Sequence, residues 1–173
     1  MDVLRRIATM DIVPLTGRVL ERMESETDQG VRGQALITYA SLGPQDTIAQ
    51  LSPFLSAFHR ELRRGALIGI LGHEPTNDMA NDYLLATIRS PSAEDRLFAA
   101  DVIGETGSAH FSGFLVELLE DLDRDVTARA ITAAGRIKDP RLIDVLVRRL
   151  SDPSLRPAAS VALKQFGESA LFE

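Results

Sequence analysis

The sequence predicts an all-α fold, a right-handed α-solenoid (α-α superhelix) of about five stacked helical hairpins. Three observations lead to this prediction. An alanine returns about every 31 residues, its neighbours repeat with it at helical spacing, and no segment shows the strict apolar–polar alternation of a half-exposed strand. Since one hairpin cannot bury its apolar face alone, a repeat of this length indicates stacking of each hairpin on the next.

The alanine recurs within a common pattern. An apolar residue lies four positions before it in four of the five repeats, an arginine lies three before it in four, and an apolar residue always lies four after it. This spacing places the set on one face of a helix, which we call helix B of each repeat. The alanines are Ala35, Ala66, Ala99, Ala130 and Ala159. We expect each to lie where helix B meets its neighbours too closely for a larger side chain.

A second helix, helix A, precedes each helix B. Its marker is a leucine eleven residues before the first-turn position of helix B, or nine before it in the last repeat, whose turn is two residues shorter. Short polar turns such as Ser90-Pro91-Ser92 separate the two helices. The marker leucines are Leu20, Leu51, Leu84, Leu115 and Leu146.

Glycines mark helix ends and close contacts. Gly43, Gly107 and Gly167 follow the alanine by eight positions, where a helix ends in a left-handed residue. Within one helical pattern, Gly65, Gly69 and Gly72 are expected to permit close packing. Together these signals predict a single repeat domain over 1–173, with repeats at about 12–43, 44–75, 76–107, 108–138 and 139–168.

The two ends of the predicted solenoid lack the distinct polar cap that a free-standing solenoid needs. Val3, Leu4, Ile7 and Met10 form an apolar pattern like the tail of an earlier helix, and the last residues contain no separate capping helix. We therefore expect either continuation in a longer protein or self-association through the solenoid ends.

The composition disfavours several classes of function. A net charge of −6 disfavours a broad nucleic-acid-binding face. The chain has no Cys, so disulfides, thiolate metal sites and a cysteine nucleophile are ruled out. No run approaches the ~18 apolar residues of a membrane helix, and residues 1–6 lack a signal peptide's apolar core. We expect a cytoplasmic protein that binds no nucleic acid and inserts no part of this segment into a membrane.

The repeat pattern resembles a known family. The stretches LLED at 118–121 and DVTARAITAAGRI at 125–137 are similar to the HEAT-like repeats of bacterial proteins, of the sort first associated with phycobilisome lyases. The likeness runs from about Leu15 to Gly167. It implies HEAT-like hairpins, a fold shared by scaffolds, regulatory domains and a few enzymes, and it does not specify the function. It also implies that turn carboxylates pair with the arginine at the start of helix B, here Asp28, Asp121, Asp123 and Asp152 with residues such as Arg32 and Arg156.

The residues give little support for an enzymatic function. His59, His73 and His110 do not form an i, i+4 metal pair, and no Gly-x-Ser-x-Gly elbow is present. His73-Glu74 resembles one of the His-Glu pairs that bind two irons in deoxyhypusine hydroxylases, but one pair supplies too few ligands. We expect no catalytic residue, metal or cofactor. The alternative is an enzyme of the HEAT-like class, either bilin lyase-like or a degenerate relative of deoxyhypusine hydroxylase.

A partner-binding face is predicted on the B helices. Solenoids bind through their extended inner surface, and at 100° per residue the side of the B helices opposite the core can be projected. We expect a non-catalytic scaffold that binds a protein or peptide there. The candidate residues are Ile37, Arg64, Ile68, Leu97, Asp101, Glu105, Thr132 and Arg136.

Overall fold

The computed structural model describes residues 15–167, and residues 1–14 and 168–173 lie outside this range. The described residues form α-helices, three short 3-10 segments and no strand. This confirms the predicted all-α fold. The helices are α1 (15–25 of the described range), α2 (Gln29–Ser41), α3 (Thr47–Leu51), α4 (Arg60–His73), α5 (Asp78–Ile88), α6 (Ala93–Thr106), α7 (Ser112–Leu119), α8 (Arg124–Ile137), α9 (Ile143–Arg149) and α10 (Arg156–Phe166). The 3-10 segments are Ser52–Ser56, Ala109–Phe111 and Pro140–Leu142.

Odd-numbered helices occupy the predicted A positions and even-numbered helices the B positions. The chain divides after Ala80 into two compact units, unit 1 (Met1–Ala80) and unit 2 (Asn81–Glu173). The predicted repeats start at residue 12 and end at residue 168, so residues 12–14 and 168 of that prediction lie outside the described range. The apolar residues predicted to belong to an earlier helix, from Val3 to Met10, also lie outside it.

In unit 1, α2 packs directly on α4, and glycines at the crossing permit the approach. A Cβ built on Gly65 would clash with the carbonyl oxygen of Gly33. A Cβ on Gly69 would lie 2.5 Å from Cδ2 of Leu51. The expectation of close packing is therefore confirmed for Gly65 and Gly69. It is wrong for Gly72, because nothing lies within 4 Å of the corresponding Cβ position.

In unit 2, α8 is the central helix and packs on α6, α7 and α10, while α9 packs on α10. Small residues again set the spacing between B helices. A Cβ on Gly135 would lie 3.0 Å from the Cα of Ala162. A core of aliphatic and aromatic side chains closes between the A and B helices, and it includes Phe98, Ile103, Phe111, Leu115, Leu118, Leu119, Val126, Ile131 and Leu146.

Four of the five repeated alanines are fully buried, namely Ala66, Ala99, Ala130 and Ala159. Ala35 is half-buried. The marker leucines of the A helices behave in the same way, since Leu51, Leu84, Leu115 and Leu146 are fully buried whereas Leu20 is half-buried. The periodic pattern therefore identifies core positions in every repeat after the first.

The predicted helix ends are also observed. Gly43 and Gly107 follow α2 and α6 with φ of 67° and 62°. Lys138 takes the equivalent position after α8 with φ of 56°, although it carries a side chain. Gly167 has φ of 69° but ψ of −157°, so it leaves α10 in an extended direction that only glycine adopts readily.

The repeated arginine at the start of helix B forms a hydrogen bond with the turn between helices A and B. Its guanidinium donates to the backbone carbonyl oxygen six residues earlier, and in the fourth repeat a threonine hydroxyl makes the same contact. This hydrogen bond satisfies a carbonyl at the end of helix A that lacks a helical partner. The donor–acceptor pairs are Arg63–Ala57, Arg96–Ser90, Thr127–Asp121 and Arg156–Leu150, at 2.8 to 3.1 Å.

The turn carboxylates act mainly as caps. Oδ1 of Asp28 accepts hydrogen bonds from the N–H groups of Gly30 and Val31, and Asp123 caps α8 in the same way. The expected pairing of a turn aspartate with the arginine at the start of helix B is confirmed for Asp121, which forms an ion pair with Arg96. Within the described residues it is not observed for Arg32 and Arg156. Arg32 donates to the Gln29 side chain instead. A carboxylate that faces the helix amides is turned away from the guanidinium, which reaches back towards the turn.

Candidate functional site

The candidate site of unit 2 includes a line of exposed polar side chains on α8. Asp123 caps the start of this helix, and from there Asp125, Arg129, Thr132 and Arg136 follow at i, i+4, i+7 and i+11. This spacing places the four side chains in one line along the helix. All four are exposed, whereas Val126, Ala130 and Ile137 on the opposite side are buried. We call this line the α8 stripe.

The α8 stripe forms one wall of the candidate site, and helix α6 forms the other. Leu97 and Asp101, both half-buried, lie one helical turn apart on α6 beside the α8 stripe. The two helices approach closely because Gly104 faces Ala133, and a Cβ on Gly104 would lie only 2.9 Å from the Cβ of Ala133. Because Gly104 has no side chain, the surface between α6 and α8 is recessed there, and the longer side chains of both helices project on either side of it.

A groove runs between these walls, and we call it the α6–α8 groove. Its wider part has a volume of about 430 Å³ and is lined by Leu97, Asp125, Ala128, Arg129 and Thr132. An adjoining pocket of about 20 Å³ is lined by Ala100, Asp101, Gly104, Arg129, Thr132, Ala133 and Arg136. The narrow pocket holds little more than a water molecule. The wider part is large enough for several side chains of a partner.

One ion pair crosses the groove. Nη1 of Arg129 lies 2.9 Å from Oδ1 of Asp101, and the two side chains retain 53% and 34% of their exposed area. Solvent screens a pair of this kind, which stabilises the fold by less than about 1 kcal/mol. Its main effect is to fix the position of Arg129 over the groove. Within residues 15–167, neither Asp125 nor Arg136 forms an ion pair through its side chain.

The structure places the other predicted site residues differently. Glu105 is exposed in the last turn of α6. In unit 1, Ile37 on α2 and Arg64 on α4 are half-buried. Ile68 on α4 is only 5% exposed, so its assignment to a partner-binding surface is corrected. Its side chain packs inside because glycines on both sides of it draw α4 onto its neighbours.

Sequence reasoning missed the two charged groove residues Asp125 and Arg129, as well as the small residues of the lining. It assigned Thr132 and Arg136 to the surface but did not follow the stripe towards the start of α8. The signal was available, because Arg129 lies seven positions before Arg136 and Asp125 lies seven before Thr132, on the same helical line. The cross-groove contact to Asp101 could not be found in this way, since it depends on how α6 and α8 pack.

Three groups outside the groove have displaced pKa values. A hydrogen bond from Arg141 lowers the pKa of Asp139 to about 2. The hydrogen bond from Ser154 lowers the pKa of Asp152. Burial, together with a hydrogen bond to Asp46, raises the pKa of Tyr39 to about 12. Each shift thus has a local structural cause.

Histidine and carboxylate side chains do not cluster in the described range. No group of three or more among residues 15–167 is arranged to hold a metal ion. His73 is the last residue of α4 and Glu74 follows it, with both side chains exposed. Among the same residues, no helix has the length and hydropathy required to cross a membrane.

Comparison with known proteins identifies the repeat. No curated protein matches the chain. The family model described as HEAT repeats matches residues 81–167, half of the 173-residue sequence and all of the described part of unit 2. With the paired helices, the buried alanines and the repeated arginine contacts, this match shows that the chain belongs to the HEAT-repeat family.

Proposed function

We propose that this chain is a non-catalytic, cytoplasmic scaffold that binds a protein or peptide partner through the α6–α8 groove. One observation carries the proposal. The α8 stripe exposes four polar or charged side chains over a groove of about 430 Å³, while the small residues beneath them hold the helices together. A surface with an apolar floor and polar sides is typical of protein recognition.

Family membership supports the same function. HEAT hairpins stack so that equivalent residues of successive B helices lie side by side, and such repeats commonly serve protein interaction. The fold alone does not specify the partner, so the argument for this chain depends on the groove residues themselves.

The titratable groups also favour a scaffold. Catalytic sites gather groups with displaced pKa values in a cleft. Here three displaced groups, Asp121, Asp139 and Asp152, lie in turns and receive hydrogen bonds from Arg96, Arg141 and Ser154.

The proposal can be tested by charge reversal. Immobilised full-length chain is used to capture partners from its native host, and bound proteins are quantified by mass spectrometry. Asp101→Arg removes the counter-ion of Arg129 and adds a positive charge to the groove, and Arg136→Glu reverses an exposed charge in it. Each should reduce capture of the principal partner by about fivefold or more. Arg18→Glu, an exposed change of the same charge on α1, is the matched control. Unchanged capture by both groove variants would refute the assignment.

Metal analysis and visible absorbance of the chain purified from its native host test the alternative class. A scaffold should contain no stoichiometric metal and absorb no visible light. Bound iron would support a relative of the di-iron hydroxylases, and a bound bilin would support a lyase-like enzyme. Either result would overturn the non-catalytic function.

A further inference from the structure

The α6–α8 groove has opposite charges at its two ends. Asp125 lies in the first turn of α8 and lines the wider part, whereas Arg136 lies in the last turn and lines the narrow pocket. The two are separated by 11 positions on one helical face, or about 16 Å at 1.5 Å per residue. Neither side chain forms an ion pair with another described residue, so both charges are available to a ligand.

The middle of the groove is electrically neutral. Arg129 stands between the two ends, but its charge is balanced by Asp101 at 2.9 Å. The hydroxyl of Thr132 donates to the carbonyl oxygen of Ala128 at 3.1 Å, so its proton is used within the helix. Half-buried Leu97 and Ala128 supply apolar surface beside them. From one end to the other the groove is acidic, apolar and basic.

We propose that the groove binds an extended peptide segment with a basic, an apolar and an acidic residue at positions i, i+2 and i+4. This inference rests on the scaffold function and names its ligand class. In an extended chain these side chains point to the same side, and the outer two are about 13 Å apart. Flexible side chains reach the remaining 3 Å or so. The basic residue faces Asp125, the apolar residue packs on Leu97, and the acidic residue faces Arg136.

Three short peptides test the proposal. The probe is Ser-Lys-Ser-Leu-Ser-Glu-Ser, blocked at both ends and carrying a fluorophore. Its comparison peptides replace the lysine with glutamate or the glutamate with lysine. Binding to the full chain is measured by fluorescence anisotropy at low ionic strength. The mixed-charge peptide should bind about fivefold more tightly than either like-charged peptide, as expected when one of two exposed charge contacts becomes repulsive.

Charge reversal in the protein separates specific binding from general attraction to an acidic chain. Arg136→Glu should transfer the preference to the peptide with two lysines, and Asp125→Lys should transfer it to the peptide with two glutamates. Arg18→Glu and Asp144→Lys make the same charge changes at exposed positions outside the groove, and both should keep the wild-type preference. Thermal melts identify any variant that is unfolded, and Arg136→Gln and Asp125→Asn then replace it, each with a smaller expected change.

The outcomes distinguish this inference from the scaffold function. Equal binding of the three peptides, or a preference that the groove variants leave unchanged, overturns the peptide proposal. If Arg136→Glu still reduces capture of the native partner in that case, the scaffold function stands and the ligand is of another kind. Conversely, exchanged peptide preferences in both groove variants support the peptide proposal even where no native partner is captured.

Discussion

The guanidinium of Arg96 on α6 forms a two-point ion pair with the carboxylate of Asp121, which lies in the A–B turn of the next hairpin. Nε is 2.6 Å from Oδ2 and Nη2 is 3.0 Å from Oδ1. Nη1 of the same side chain donates to the carbonyl oxygens of Ser90 and Pro91 in its own turn. One arginine therefore joins two successive turns, and only 18% of its side chain and 9% of that of Asp121 are exposed.

Loss of this ion pair should destabilise the fold. Burial tends to raise the pKa of Asp121, but hydrogen bonds from Arg96 and from the N–H of Asp123 outweigh burial and lower it. Asp121→Asn keeps an acceptor for the Asp123 N–H and removes the charge, so it leaves Arg96 without its counter-ion. We expect a loss of about 2 kcal/mol in the free energy of unfolding by urea denaturation.

The matched control is the pair Arg89–Glu117, which also joins these two hairpins but is 61% and 45% exposed. Glu117→Gln should cost less than about 1 kcal/mol, because solvent already screens this pair. Equal losses for the two substitutions would contradict the role assigned to the buried pair.

The acid stability of the chain should depend on Asp139. Its side chain is 5% exposed, and hydrogen bonds from Arg141 hold its pKa at about 2, below the ordinary value of 3.8. A carboxyl whose pKa is lowered in the folded state stabilises the fold above its ordinary pKa, and this stabilisation is lost as the pH falls towards 2. The shift corresponds to about 2 kcal/mol.

The measurement is the difference in unfolding free energy between the wild-type chain and Asp139→Asn as a function of pH. The difference should be constant above about pH 4 and should shrink between pH 4 and pH 2. Asp144→Asn, an exposed change on the adjoining helix, should leave the pH profile unaltered. A wild-type advantage that persists unchanged at pH 2 would refute the mechanism.

The helices and their core positions could be predicted because they depend on local periodicity. Ala66, Ala99, Ala130 and Ala159 share one helical phase, and burial follows that phase. The glycine contact between α2 and α4 was only partly predictable. Gly65 and Gly72 look alike in sequence, but only Gly65 lies at the crossing with Gly33, which depends on the packing of two separate helices.

The site was predicted less completely than the fold. The exposure of Thr132 and Arg136 could be predicted from their positions on one face of α8. The partners of the charged side chains could not. A guanidinium at the start of helix B can reach a carbonyl of its own turn, a cap or the next hairpin, and the sequence contains acceptors at all three. Arg96 contacts a carbonyl of its own turn and Asp121 of the next hairpin, whereas Arg156 contacts the carbonyl of Leu150 in its own turn.

Replacing Lys138 with glycine should stabilise the fold. It follows α8 with φ of 56°, a left-handed conformation in which a Cβ is crowded by the backbone, while Gly107 takes the same position after α6 with φ of 62°. Lys138→Gly should raise the free energy of unfolding by about 0.5 to 1 kcal/mol, measured by thermal and urea denaturation. In the reverse experiment, Gly107→Ala should lower it by about 1 kcal/mol. Destabilisation by Lys138→Gly would show that the lysine side chain contributes more than the strain removes.

The repeated alanine can be tested by enlarging it at two equivalent positions. Ala130 on α8 is fully buried in the middle of unit 2, whereas Ala35 on α2 is half-buried. Ala130→Leu adds three carbons where α8 packs on α6, α7 and α10, so neighbouring side chains must leave their preferred rotamers. We expect a loss of about 1 to 3 kcal/mol. Ala35→Leu has room towards solvent and should cost less than about 1 kcal/mol. If both substitutions cost the same in thermal melts, the alanine reflects helix propensity rather than the spacing between helices.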